Sequence, residues 1–336
     1  MLILRCLHFS SEISTEDRLA KIRPIVDHFN KKMNEIYYPG KQLSLDESMV
    51  LWCGRLQFRQ YIKNKRHKYG IKLYVLAEPE GTVLKFQIYG GAGDDTSGIG
   101  HTQKIVLKLL EDKLDSGHSV YMDNYYNSYD LATKLLDRQT YCTGILNKNR
   151  KGNPIDLATV TLRKGENKSL FLNGVHIGKW RDKRYVLYIS TEHDNEMMEV
   201  TDKRGNVIVK PAAIIHYNKF MSGVDLQDQM VSYYPCERKT MRWYKNIFIH
   251  TLQMSVRNSS ALKKFLQEAK KRKIADCSPD GIFEDGIIEM KCPVNEKNYV
   301  KNGQATEKYN AQMQIQMYGS IYTSAESKRI EASIQN

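Results

Sequence analysis

Three aspartates, Asp46, Asp123 and Asp225, are of the residue type that metal-dependent phosphoryl transfer requires. A site with two Mg²⁺ ions needs hard oxygen ligands, usually carboxylates from separated segments of the chain. Spacing alone does not distinguish these three from solvated surface acids, which are far more common. Asp228, one helical turn after Asp225, is either a supporting acid or a helix-surface acid favoured by the helix dipole.

Basic residues follow the first aspartate closely and alternate with aromatic ones. We predict that they contact the phosphates of DNA, with Phe58 and Tyr61 as neighbouring stacking surfaces. The alternative is a solvated basic loop. A second basic group surrounds Trp243, which we expect in the core. The predicted DNA-binding residues are Arg55, Arg59, Lys63, Lys65, Arg66 and Lys68, and then Arg238, Lys239 and Arg242.

The overall composition favours a polyanionic partner. The 336 residues carry a formal net charge of +13, which favours nucleic acid through counterion release. No apolar run is long enough to span a membrane, so we predict no membrane partner. The opening segment does not read as a secretory signal, and the six cysteines include no C-x-x-C pair. We therefore expect an intracellular protein without disulfides or a structural zinc site.

The predicted elements place two of the aspartates on strands and the third near a helix start. Asp46 lies in an extended stretch from Gln42, and Asp123 follows a short strand that ends at Met122. Three strands followed by alternating helices and strands predict a mixed α/β sheet. The predicted organisation is a helical lead-in at 1–36, a first core part at 37–146, a small β-rich insertion at 147–211, a helical completion of the core at 212–270 and a separate segment at 275–336.

Several blocks of sequence surround the three aspartates. They are Tyr38-Pro39-Gly40, Leu45-Asp46-Glu47, 54–65, 68–72, 122–128, 223–225 with 228–229, 238–240 and 242–243. In these blocks the chain resembles piggyBac-family transposases over most of Arg5 to about Phe265.

That resemblance implies a ribonuclease H-like mixed sheet with flanking helices, interrupted by the insertion. It implies that Asp46, Asp123 and Asp225 bind two Mg²⁺ or Mn²⁺ ions for DNA cleavage and strand transfer. The implied partner is double-stranded DNA, as transposon ends and a TTAA target, in the nucleus; a homodimer is left open.

The tail carries a second set of candidate residues. Asp280 follows a proline, and Glu289-Met290-Lys291 completes the P-D…E-x-K arrangement in which two acids hold Mg²⁺ and a lysine orients water. With Gln312 downstream, residues from about 275 to 324 resemble the YqaJ-type, lambda-exonuclease-like viral recombinase nucleases. This implies a partial restriction-endonuclease-like α/β segment. The alternative is a helix cap at Asp280 and a surface pair at Glu289 and Lys291.

Three interpretations of function remain open from the sequence. The first is an active cut-and-paste transposase that uses the aspartate triad. The second is a domesticated or truncated DNA-binding protein without catalysis, which is favoured by the start about 45 residues before Asp46 and by the lack of a C-terminal cysteine-rich module. The third is an exonuclease that uses the tail.

Overall fold

The computed structural model describes residues 8–10, 17–63, 65, 67–92, 94, 96–201, 205–236, 242–271, 300–301 and 304–305. The helices are α1 (Arg23–Ile36), α2 (His101–Leu110), α3 (Tyr129–Asp137), α4 (Ile155–Thr159), α5 (Ala212–Phe220), α6 (Gly223–Tyr233) and α7 (Trp243–Lys271). The strands are β1 (Gln42–Leu51), β2 (Gln60–Tyr61), β3 (Tyr69–Ala77), β4 (Val83–Ile88), β5 (Ser119–Met122), β6 (Tyr141–Ile145), β7 (Asn167–Leu172), β8 (Val175–Arg181), β9 (Tyr185–Ser190), β10 (Met197–Thr201), β11 (Val207–Pro211), β12 (Val300–Lys301) and β13 (Gln304–Ala305).

The chain divides into two compact units, and the larger one, residues 1–30 and 39–257, is built on one mixed sheet. Its strand order is β2-β3-β1-β5-β6-β9-β8-β7, with β4 also paired to β3. Strands β1, β5 and β6 are parallel, whereas β3, β4, β9, β8 and β7 pair with antiparallel neighbours. The predicted mixed α/β sheet is therefore confirmed.

The middle of the sheet is apolar and is covered by protein on both faces. Strand β3 is buried at every residue after Tyr69, as expected of a strand with protein on both sides. Helix α2 packs on β3 and β4, α3 on β6 and β8, α5 on β6 and β9, and α6 on β1 and β3. The helices thus fix the central strands from which the candidate site is built.

Within its described residues, the region predicted as a β-rich insertion contains one short helix and five strands. Strand β9 pairs with β6, with Ser190 opposite Thr143. Strands β9, β8 and β7 therefore continue the main sheet in that order. Trp180 and Tyr188 then pack with Ala213 and Ile214 of α5. Strands β10 and β11 form a separate two-stranded sheet. The limits of the insertion remain a prediction.

The smaller unit comprises residues 31–38 and 258–336. It includes the last part of α1, the last part of α7 and the short hairpin β12–β13, in which Val300 pairs with Ala305. Asn258 donates a hydrogen bond to the Met33 sulfur at 3.3 Å. Of the helices in the described part of the chain, none has the length and apolar content needed to cross a membrane.

Candidate active site

The first two aspartates are brought together by parallel strand pairing. Strand β1 pairs in parallel with β5, and Leu45 is aligned with Met122. Asp46 follows Leu45 and Asp123 follows Met122, so both aspartates lie at the edge of the sheet where β5 ends. In a parallel pair, aligned residues share a face of the sheet. The strand register thus places both carboxylates at the carboxyl end of β5.

The loop that carries Asp123 is held by one buried side chain. The Asn127 amide nitrogen donates to the carbonyl oxygens of Met122, Asp123 and Ile145 at 2.7, 3.0 and 3.0 Å. The Asp123 carboxylate in turn accepts a hydrogen bond from the Tyr125 backbone N–H at 2.9 Å. These bonds fix the chain as it leaves β5 and orient the second aspartate.

Helix α6 supplies Asp225 and Asp228 and lies close against β1. Gly223 begins the helix, and a Cβ atom there would lie 2.2 Å from the Glu78 carbonyl oxygen. Two serines on one face of β1 anchor this segment: Ser44 Oγ donates to the Met221 carbonyl at 2.7 Å, and Ser48 Oγ donates to Asp228 Oδ1 at 2.6 Å.

The serines identify the face of β1 that carries the first aspartate. Because side chains alternate along a strand, Asp46 lies on the same face as Ser44 and Ser48. We call this face, which points toward α6, the open face of β1. Asp225 is in the first turn of α6, with its side chain 68% exposed.

Lys65 connects the first and third aspartates. Its ammonium nitrogen lies 3.4 Å from Asp46 Oδ2 and 3.2 Å from Asp225 Oδ1. Among the residues that the structure describes, no three His, Cys, Asp or Glu side chains converge closely enough to hold a metal ion. The acids thus surround a lysine ammonium.

Burial governs the ionisation of these groups. It raises the pKa of Asp46 to about 8 against the opposing effect of Lys65, and raises the pKa of Asp228 to about 6 against the Ser48 hydrogen bond. It also raises the pKa of Asp123 above the usual range. For Lys65, burial lowers the pKa, but attraction to Asp46, Asp225 and Asp228 outweighs it and raises the value to about 12.

Sequence reasoning missed a cluster on the opposite side of β1, which we call the closed face. Tyr126 is fully buried and donates from its hydroxyl to Glu47 Oε2 at 3.2 Å. Lys72 of β3 is buried, with its ammonium 4.7 Å from the Tyr74 ring centroid and 4.5 Å from that of Tyr125. Burial lowers the pKa of Lys72. A lone lysine within the apolar strand Tyr69–Ala77 was the signal available in the sequence.

The predicted DNA-binding residues around β2 are largely exposed, with one correction among their aromatic neighbours. Phe58 is buried and packs edge-on against Trp243 at 5.2 Å, so the prediction that it offers a stacking surface is wrong. Tyr61 and Tyr69 are 54% and 51% exposed, with ring centroids 4.7 Å apart. Arg59 lies 5.6 Å from the Tyr69 ring. The exposed basic side chains are Arg55, Arg59, Lys63 and Lys68.

Of the remaining predicted residues, Arg242 lies within the described part of the chain. Arg242 is exposed, with its guanidinium 3.4 Å from the Tyr244 hydroxyl. Arg66, Arg238 and Lys239 are outside the described residues, as are the tail residues Asp280, Glu289, Lys291 and Gln312.

Comparison with known proteins identifies the family. Residues 1–260 match the family model described as Transposase IS4, and residues 239–323 match the YqaJ-like viral recombinase domain. The second match begins well before the start near residue 275 that the sequence predicted, and it includes α7. The two resemblances predicted from the sequence are both present.

Two human proteins and one solved structure are similar to the chain. It is 24% identical to PiggyBac transposable element-derived protein 3 of Homo sapiens over 276 residues, which covers 77% of the chain and 46% of that protein. It is 20% identical to PiggyBac transposable element-derived protein 2 of Homo sapiens over 278 residues, 77% of the chain and 47% of that protein. The chain thus spans about half the length of these relatives.

The solved structure is a cryo-EM structure of the piggyBac transposase synaptic complex with hairpin DNA. The TM-score is 0.69 at 23% identity, and the match covers 98% of this chain and 63% of that one. The predicted fold class is confirmed by this likeness, while the roles of the individual site residues remain predictions. The chain therefore belongs to the Transposase IS4 family and is similar to piggyBac transposable element-derived proteins.

Proposed function

We propose that this chain performs metal-dependent DNA cleavage and strand transfer of the cut-and-paste type, with Asp46, Asp123 and Asp225 as its metal-binding acids. The observation that carries the proposal is the strand register. Leu45 is aligned with Met122, so two aspartates that are far apart in sequence lie side by side where β5 ends. Helix α6 brings the third acid, Asp225, to the same lysine that contacts Asp46.

The chemistry of the three proposed acids fits Mg²⁺ or Mn²⁺. The donors are carboxylates from three separate elements, and hard oxygen donors are those these ions prefer. Two of the carboxylates already attract one cation, the Lys65 ammonium, at 3.4 and 3.2 Å. When bound, such ions activate an attacking water or DNA 3′-hydroxyl and stabilise the leaving oxygen.

The chain's own residues would hold and orient the reacting groups. Ser48 fixes Asp228 through a 2.6 Å hydrogen bond, which makes Asp228 a supporting acid beside the three ligands. Asn127 fixes the loop of Asp123 through three carbonyl oxygens. Both contacts keep carboxylates in place before the substrate arrives, which lowers the cost of orienting them during the reaction.

Double-stranded DNA is the proposed substrate. The exposed Arg55, Arg59, Lys63 and Lys68 form a basic surface suited to phosphates, and the exposed ring pair of Tyr61 and Tyr69 is suited to stacking. The similar piggyBac transposase was solved with hairpin DNA. We extend the proposal to TTAA target sites, to action in the nucleus and to a homodimer that pairs two DNA ends.

Nicking of a supercoiled plasmid that contains TTAA sites tests the proposal. The full chain is incubated with the plasmid in Mg²⁺ and, separately, in Mn²⁺ and EDTA. We expect nicked product that requires the metal and that falls by about 10²-fold or more in Asp123→Asn, because a metal-binding carboxylate is lost. Asp130→Asn is the matched control, since Asp130 is exposed in the first turn of α3.

Two results would overturn the proposal. Binding to the plasmid that weakens steeply with salt, without nicking by the wild-type chain, would identify a catalytically inactive DNA-binding protein. Nicking or degradation that survives in Asp123→Asn but is lost in Glu289→Gln would assign the activity to the tail.

A further inference from the structure

Lys65 differs from the other described lysines of its loop. The loop joins β2 to β3, and Lys63 and Lys68 are exposed there. The Lys65 side chain is only 17% exposed and points between Asp46 and Asp225. One lysine of a basic, surface-facing loop is therefore directed into the group of acids on the open face.

The two contacts of Lys65 are shared and long. Charge-assisted N–H···O bonds are typically about 2.7–2.9 Å, whereas the ammonium lies 3.4 Å from Asp46 and 3.2 Å from Asp225. The nitrogen therefore occupies a position between two carboxylates. Asp46 is 13% exposed and has little access to water, so the ammonium beside it stabilises the charged form of its carboxylate.

We infer that Lys65 is an internal counter-cation that occupies the gap between Asp46 and Asp225 in the metal-free protein and competes with a divalent ion for it. This inference rests on the proposed function, because it takes these acids to be metal ligands. Mg²⁺ binds carboxylate oxygens at about 2.0–2.1 Å, so an ion held by the same two oxygens needs the space that the ammonium fills. Two cations so close repel each other, and Lys65 must leave.

The location of Lys65 gives it a second partner after release. The loop also carries Lys63 and Lys68, which are exposed on the proposed DNA-binding surface. A DNA phosphate at this surface is the anion that would accept the displaced ammonium. When a DNA phosphate binds Lys65, the ammonium no longer competes with the metal ion. DNA and the metal ion therefore strengthen each other's binding. Metal loading is thereby favoured when DNA is present.

Mn²⁺ binding to the full chain without DNA, followed by electron paramagnetic resonance, tests the inference. We expect Lys65→Met to lower the dissociation constant for Mn²⁺ by about tenfold, because the competing charge is gone. Lys63→Met makes the same charge change at an exposed position of the same loop and is expected to leave that constant unchanged. Asp46→Asn identifies the open-face site among all Mn²⁺ sites of the chain.

Thermal melting of the same variants provides a second readout. In EDTA, Lys65→Met is expected to melt below the wild type, because the attraction of Lys65 to Asp46 and Asp225 is lost, and Mn²⁺ is expected to restore its melting temperature. If Lys65→Met does not fold in EDTA, the wild type is titrated with Mn²⁺ with and without a short duplex. The inference then requires tighter Mn²⁺ binding in the presence of DNA.

The outcomes separate this inference from the proposed function. Mn²⁺ that binds wild type and Lys65→Met equally well, and is lost in Asp46→Asn, would overturn only the role of Lys65. Mn²⁺ binding that does not depend on Asp46 in any variant would overturn both. Equal affinity with and without duplex in the wild type would overturn the coupling to DNA.

Discussion

The two faces of β1 use charged groups in opposite ways. On the open face, Asp46 and Asp225 share one ammonium at more than 3 Å, and Asp225 is 68% exposed. On the closed face, Glu47 accepts a hydrogen bond from the hydroxyl of the fully buried Tyr126, and Lys72 is buried beside two aromatic rings.

This difference separates charges used for structure from charges left for a ligand. The closed-face partner of Glu47, Tyr126, is fully buried, so losing that partner costs the fold. On the open face, Asp46 and Asp225 both interact with Lys65, which belongs to a surface loop. An incoming cation can therefore replace the lysine. We infer that one strand carries the support of the site on one side and its reactive groups on the other.

The largest expected effect is that of Gly223→Ala, which tests whether close packing of α6 against the end of β3 and against β1 sets the open face. The new Cβ would lie 2.2 Å from the backbone oxygen of Glu78, which cannot rotate away. We expect a loss of about 3 kcal/mol in the free energy of unfolding, measured in urea, because overpacking forces the helix off the strand. Ser222→Ala, at the exposed neighbour, should change stability by less than about 0.5 kcal/mol. Equal free energies of unfolding for Gly223→Ala and Ser222→Ala would contradict the close packing around Gly223.

Tyr126→Phe tests whether the closed face is structural. The change removes the hydroxyl that donates to Glu47 at 3.2 Å within a fully buried ring site. We expect a loss of about 1–2 kcal/mol in urea unfolding, because the carboxylate loses a donor. Tyr234→Phe, at a tyrosine that is 82% exposed, is the control and should be neutral. A neutral Tyr126→Phe would show that the closed face does not need this bond.

The smallest expected effect concerns the edge of the open face, where His250 lines a pocket together with Lys65 and Asp228. Burial lowers the pKa of His250 to about 4. The unfolded chain, with a histidine pKa of about 6.5, then binds the proton more tightly than the folded one, so stability is full above pH 6.5 and falls between pH 6.5 and 4.

His250→Gln should therefore reduce the stability lost between pH 7 and pH 5.5 by about 1 kcal/mol, measured by urea unfolding at both values. His28→Gln, at an exposed histidine, serves as the control. If both variants show the pH dependence of the wild type, His250 is not the buried neutral base that we describe.

The sequence was sufficient for the central sheet and for the neighbourhood of Asp46 and Asp123, because strand patterns and the residues around each acid are local signals. It did not reveal Gly223, whose role depends on the carbonyl of a distant residue, or the continuation of the sheet through β9. The lysines at 63, 65 and 68 look alike in sequence, yet only Lys65 points inward. Phe58 was misassigned because its burial depends on Trp243, far along the chain.

Iron-mediated cleavage of the protein backbone tests the central claim most directly. Fe²⁺ replaces Mg²⁺ in the full chain, and ascorbate with peroxide then produces hydroxyl radicals that cut the backbone near the bound ion. We expect fragments that end near Asp46, Asp123 and Asp225, that disappear in excess Mg²⁺ and that are reduced in Asp46→Asn. Cleavage confined to the region of Asp280 and Glu289, with none near the three aspartates, would contradict it.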